Sequence, residues 1–261
     1  MFELVKYNDL EFYKISDFDG VRHCFTTKRG GVSTGIYESM NLRLHSEDKR
    51  ENVMRNFEII CGGIGINPES LILSNQVHED NIVNVTRADC GNGLYSPNKF
   101  KSADGLITDD PEAALVTFYA DCVPVLLYDK KKKVIASVHS GWKGTVKRIA
   151  QKAVEKFKKD YGSSAEDIYA AIGPSIRLCH FEVGEEVADI FIKEFGKETV
   201  EYFGGKPHVN LQKAVKLQLA EAGITKTDDS GICTYCNSDL LFSHRKTSGK
   251  RGNLVAIMQL G

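Results

Sequence analysis

Two apolar runs, Val123-Pro-Val-Leu-Leu-Tyr128 and Val134-Ile-Ala-Ser-Val138, are separated only by Asp129-Lys-Lys-Lys-Lys133, and no other segment restricts the fold as much. Short runs rich in β-branched residues read as strands, and the five charged residues between them read as a solvated turn. The pair is therefore expected to form a hairpin, which is antiparallel and rules out an all-parallel sheet. Further strands are expected at Gly105–Thr108, Leu115–Tyr119, Ile168–Ile172 and Leu254–Met258. Helical spacing appears over Arg50 to Ile60 (Val53, Phe57, Ile60) and after Trp142 (Val146, Ile149, Ala150, Ala153, Val154, Phe157). It recurs at Val187 to Phe195 and at Leu211 to Ala222, which Gly223 stops. Strands mixed with helices in this way point to an α+β or α/β domain with mixed sheets. No repeat and no linker interrupts it, so residues 1–261 are expected to form a single domain.

The charge balance narrows the partners. Lys plus Arg number 34 and Asp plus Glu 35, so the net charge of -1 supplies no field to gather nucleic acid or an anionic membrane. A small-molecule partner is expected. No apolar stretch reaches the length of a membrane span, and Met1-Phe-Glu-Leu-Val-Lys6 lacks the pattern of a secretion signal, so a cytoplasmic protein with reduced cysteines is expected. The seven cysteines are odd in number and scattered, unlike the disulfide framework of a small secreted domain.

His78, Cys122 and His139 each sit where an apolar run meets a short polar segment. Two imidazoles and a thiolate suit Zn²⁺, and three protein ligands leave a position open for water or substrate. The same residues allow a second reading, with Cys122 as nucleophile and His139 as its base. They also allow a bland one, in which a buried cysteine is a small hydrophobe and each histidine a satisfied polar group. Asp104 and Asp121 lie near these groups in sequence, each able to orient an imidazole, carry a proton or simply close a turn. Arg43, Arg55, Lys143 and Arg245 are candidate phosphate contacts; Asn41 and Gln76, in the segments Met40–His45 and Asn75–His78, join them as candidate substrate contacts. Thr26-Thr-Lys-Arg-Gly-Gly-Val-Ser-Thr-Gly35 is glycine-rich but matches neither common nucleotide fingerprint. Trp142, the only tryptophan, fits either a stacking platform or core filling. Cys233-Thr-Tyr-Cys236 has zinc-knuckle spacing, but a structural site needs two more ligands and there is no second C-x-x-C, so the pair is read as structural.

Asn75-Gln-Val-His78, Ala103-Asp-Gly-Leu-Ile-Thr108, Ala120-Asp-Cys-Val-Pro-Val125, Val138-His-Ser-Gly-Trp-Lys-Gly144, Ile172-Gly-Pro174 with Phe181-Glu-Val183, and Phe242-Ser-His-Arg245 occur in that order. Together they resemble the YfiH family, also called the laccase-domain or polyphenol oxidase family and, more recently, a purine nucleoside phosphorylase family. The resemblance runs from about Thr26 to the C-terminus. It implies a layered α/β/β/α domain and a zinc site whose ligand positions fall on His78, Cys122 and His139; from its place in the sequence, Asp104 is expected beside them in the catalytic group. It also implies phosphorolysis of adenosine, inosine, guanosine and methylthioadenosine, with adenosine deaminase activity besides.

The older family label implies copper and phenol oxidation, and some bacterial relatives are described as peptidoglycan editing factors. Multicopper chemistry calls for further His, Cys and Met ligands, and the seven histidines include no His-x-His pair. A zinc-free cysteine amidase using Cys122 and His139 remains the main alternative, since the family fold is said to resemble cysteine-dependent deamidase toxins. A non-catalytic binding protein with a structural metal is the other. The chain departs from its relatives at Asn56-Phe57, where they typically carry Asn-Arg, and at Ser175, where they often carry Cys. The first departure is expected to remove an anion contact, with Arg55 or Arg43 as its candidate replacement; if neither serves, substituting Arg for Phe57 is expected to strengthen phosphorolysis.

Overall fold

A computed structural model describes all of residues 1–261. The chain opens with strands β1 (Phe2–Tyr7), β2 (Leu10–Ile15) and β3 (Val21–Thr26), followed by helix α1 (Arg50–Ile64), β4 (Leu71–Leu73) and β5 (Ile82–Asn84). The centre holds β6 (Gly105–Thr108), β7 (Ala114–Tyr119), β8 (Val123–Asp129) and β9 (Val134–Ser140), then α2 (Trp142–Val146), α3 (Ile149–Tyr161) and β10 (Ile168–Ile172). Last come α4 (Glu185–Phe195), β11 (Val200–Phe203), β12 (Lys206–Val209), α5 (Leu211–Glu221), β13 (Lys226–Asp229) and β14 (Leu254–Leu260). No helix is long and apolar enough to cross a membrane.

Two six-stranded mixed sheets carry the structure, in the orders β1-β2-β3-β14-β7-β4 and β13-β10-β8-β9-β6-β5. The expected hairpin is present, β8 and β9 pairing antiparallel from Val123↔Ser140 to Asp129↔Val134. Its lysine turn is held by Asp129, whose carboxylate accepts the N–H groups of Lys131 and Lys132 at 2.9 and 3.0 Å.

Strand alternation explains the layers. Successive side chains of a strand point to opposite faces, so an apolar strand supplies two cores. In β14, Leu254, Ala256, Met258 and Leu260 enter the core between the sheets, while Val255 and Ile257 pack under α1 with Val53, Phe57 and Ile60. In β8, Leu126 and Tyr128 join the intersheet core, while Val123, Val125 and Leu127 face the layer formed by α3, α4 and α5. Three buried clusters thus fill three interlayer spaces, giving the order α1, sheet, sheet, helices. This is the α+β, layered α/β/β/α arrangement.

Two local expectations change. The helix expected after Trp142 is broken into α2 and α3, because Arg148 adopts left-handed φ 61° and its guanidinium reaches Glu194 at 2.6 Å and Gln151 at 3.0 Å. Phe57 is fully buried under the first sheet, and Asn56 is consumed by the backbone N–H of Val32, the Ser33 hydroxyl and the carbonyls of Ser39 and Asn41. An arginine in place of Phe57 would meet core rather than an anion.

Candidate active site

The site lies at the seam between the two sheets. His78 lies between β4 of the first sheet and β5 of the second, Cys122 between β7 of the first and β8 of the second, and His139 is in β9. Their donor atoms all lie within 4.8 Å of one another. The two imidazoles meet edge to face, with centroids 4.9 Å apart. Gly141 leaves the room: a Cβ there would sit 2.9 Å from His78 Nδ1 and 3.3 Å from Cys122 Sγ, so a side chain would displace the cluster.

Asp104 organises the group. It is fully buried, and its carboxylate accepts the backbone N–H groups of Val77, His78 and Glu79 at 3.0, 3.0 and 3.1 Å. His78 is held there at φ 60°, a backbone state that few non-glycine residues adopt. The same carboxylate lies 2.9 Å from His139 Nδ1. An Nδ1–H donated to Asp104 leaves Nε2 as the free lone pair for a metal or a proton. Burial alone would push Asp104 up, but His139 and the backbone donors hold it below the usual carboxylate range. Asp121 takes a different part: its carboxylate accepts the Thr234 hydroxyl at 2.6 Å and the Arg245 N–H at 2.7 Å, fastening the chain before Cys122.

Burial would likewise raise the Cys122 thiol, yet His139 and His78 beside it bring it down to about 6. Burial would lower His139, while the Cys122 sulfur and Asp104 raise it to about 9. Cys122 and His139 thus shift each other toward thiolate and imidazolium, with His78 and Asp104 adding to the effect. A preformed thiolate, an oriented imidazole and a second imidazole are a donor set that fits zinc, with a fourth position left open.

Beside the cluster opens a cavity of about 700 Å³, within the range of small-molecule sites. His78, Cys122 and His139 form one part of its wall, and Arg43, Arg50 and Arg251 another. Arg251 comes from the segment before β14. Burial and the neighbouring Arg43 cation push it below the usual arginine range, and its Nε is buried without a partner. Two guanidinium groups held together in this way attract an anion. Tyr95 and Phe118 add flat apolar surface.

Of the sequence candidates, the structure brings His78, Cys122, His139, Asp104, Gln76 and Arg43 to this place. Gln76 lines the cavity and clasps Phe118, accepting its N–H at 2.6 Å and donating to its carbonyl at 2.7 Å. The other four are placed elsewhere. Asn41 is buried and spends its amide on Asp48 and on the N–H groups of Arg43 and Asn253, so it shapes the Arg43 loop from behind. Arg55 lies on the outer face of α1, paired with Glu58 at 2.7 Å and bordering a separate hollow. Lys143 lies over the Trp142 ring, and Arg245 binds the Glu182 carbonyl at 2.8 Å above Phe181. Trp142 itself packs against the helical core. Sequence reading missed Arg50 and Arg251. Arg50 opens α1, and the only local signal for Arg251 is its place in Gly249-Lys-Arg-Gly252.

Residues 22–261 match the family model described as multi-copper polyphenol oxidoreductase laccase. The chain is 36% identical over 258 residues to a Bacteroides thetaiotaomicron protein named purine nucleoside phosphorylase, covering 95% of this chain and 94% of that one. It is 33% identical over 247 residues to the purine nucleoside phosphorylase YlmD of Bacillus subtilis, covering 90% and 86%. Among solved structures, YfiH of Bacillus licheniformis superposes with a TM-score of 0.93 at 31% identity, covering 100% of this chain and 99% of the other. YlmD of Geobacillus stearothermophilus gives 0.90 at 31% identity, with 98% of each chain covered.

Proposed function

We propose that this chain, which belongs to the multi-copper polyphenol oxidoreductase laccase family, is a cytoplasmic, zinc-dependent purine nucleoside phosphorylase formed as one catalytic domain. Adenosine, inosine, guanosine and methylthioadenosine are its proposed substrates, with adenosine deamination as a second reaction. Its relatives bear the phosphorylase name. The single observation that carries the reading is that the His78, Cys122 and His139 donors and the Arg43 and Arg251 guanidinium groups line the same cavity.

Phosphorolysis makes a bond from phosphate to C1′ of the ribose and breaks the bond from C1′ to the purine nitrogen, whose electron pair leaves with the base. Arg43 and Arg251 hold the phosphate and lower the cost of bringing its charge to the sugar. Tyr95 and Phe118 offer faces for the base or sugar, and Gln76 keeps Phe118 in position. Asp104 holds His139 in one tautomer and keeps the His78 turn closed. Zinc in the triad would supply Lewis acidity and an open coordination position at the purine end of the cavity.

Adenosine incubated with and without phosphate tests the proposal, with products separated by chromatography. Adenine and ribose 1-phosphate should form only with phosphate, and inosine in both cases. Base release without phosphate would mark a nucleoside hydrolase instead. One observation favours a second reading: Cys122, His139 and Asp104 are also a thiolate, an imidazolium and an orienting carboxylate, the parts of a cysteine amidase. Metal content separates the two, since an amidase would work with none bound.

A further inference from the structure

The C-x-x-C pair does not stand alone. The chain after β10 brings Cys179 and His180 against it, so that Cys179, His180, Cys233 and Cys236 place all four donor atoms within 4.8 Å of one another. Cys179 Sγ lies 3.7 Å from Cys233 Sγ and 3.8 Å from Cys236 Sγ. His180 Nδ1 is 3.2 Å from Cys179 Sγ and 3.3 Å from Cys236 Sγ. Tetrahedral zinc with Zn–S bonds of about 2.3 Å requires S···S edges of about 3.8 Å. A disulfide would draw two of the sulfurs together and abandon the third. Here Cys179 keeps nearly equal distances to both others, and all seven cysteines are free thiols.

The surroundings prepare the donors. The His180 ring stacks on Tyr235, with centroids 4.0 Å apart and planes 17° apart, which fixes the direction of Nδ1. Asn237 closes the turn of the C-x-x-C pair, giving both its N–H and its side-chain amide to the Cys233 carbonyl at 3.1 and 2.8 Å. Ser175 and Cys233 form a parallel β-bridge that brings the two chain segments side by side.

We propose that these residues form a second metal site, a closed Cys₃His zinc centre distinct from the triad in the cavity. Four protein donors leave no open position, so the centre is structural. It staples the segment between β10 and α4 to the segment between β13 and β14, both of which are largely irregular, and metal affinity there becomes folding free energy. The effect reaches the cavity by way of Asp121, beside Cys122, because Asp121 binds Thr234 and Arg245 of the stapled segment and its carbonyl accepts the Ile176 N–H at 2.8 Å.

The test is zinc stoichiometry, measured by mass spectrometry of the metal on untagged protein purified under reductant and desalted after zinc addition. Cys122→Ala, which disables only the triad, should keep one zinc per chain. Cys179→Ser with Cys236→Ser should lose one relative to the unaltered protein. Should that double variant fail to fold, cobalt loaded into the Cys122→Ala protein should show thiolate-to-cobalt charge transfer of the intensity given by three thiolates. Loss of all zinc from Cys122→Ala, a cobalt spectrum without that band, or a disulfide between Cys179 and either partner in the reduced protein would each overturn the assignment.

Discussion

The two cysteine–histidine clusters use the same side chains to different ends. The triad has three donors, stands at the ends of strands in the stacked sheets, has a buried carboxylate behind it and opens on a cavity. The Cys179 cluster has four donors, stands on irregular segments, has an aromatic ring rather than a carboxylate at its histidine and does not line the cavity beside the triad. The comparison teaches that donor type selects the metal, while donor number and what lies next to the cluster decide between reactivity and cohesion.

The comparison breaks most decisively at Cys122. Cys122→Ala should abolish both phosphorolysis and deamination, with the fold intact by circular dichroism and one zinc lost per chain; undiminished activity with no zinc in the triad would refute a metal role there. Asp104→Asn comes next. Loss of a carboxylate behind a ligating histidine typically costs about 10 to 100-fold in metal affinity or activity, which zinc titration of the variant should reproduce.

Arg251→Met addresses the cavity rather than the metal. Removing a charge-assisted contact to phosphate should raise its KM by about tenfold or more, while deamination, which uses no phosphate, stays unchanged. Equal loss of both reactions would show that Arg251 only braces the wall. The mildest contrast is in pH. The Cys122 thiol is lowered to about 6, so its thiolate persists above that value and protonates below it. Zinc must displace the His139 proton, held up to about 9, and meets a protonated Cys122 below about 6, so the affinity of the triad should fall as the pH drops through about 9 and more steeply below about 6, a change of slope that zinc titration across pH would show.

Much of this was legible in the amino-acid order. The β8–β9 hairpin follows from two apolar runs around a lysine turn, and the triad from polar residues at the ends of apolar runs joined by a family resemblance. What stayed hidden depends on contacts between distant segments. The break at Arg148 needs Glu194, and the anion wall joins Arg43 to Arg251 across most of the chain. The second cluster escaped because its missing ligands are the adjacent pair Cys179-His180 rather than another C-x-x-C. Phe57 misled for a related reason: comparison with relatives marks the position, but only the packing under the sheet shows which way it faces.

His78 and Cys122 both stand where the chain crosses from the first sheet to the second, between β4 and β5 and between β7 and β8, and Asp104 ties His78 to His139 on the second sheet, so the cavity they share with Arg251 works as a vernier across the seam between layers. A slip of the sheets too small to disturb either one's ladder would still move the triad against Arg251, which stands before β14 of the first sheet. Side chains in the intersheet space, such as Leu126, Leu254 or the Thr117–Ser137 hydroxyl pair that bridges it at 2.6 Å, thereby become tuning elements for a reaction they never touch. Activity in this protein should report the alignment of its two sheets before stability does.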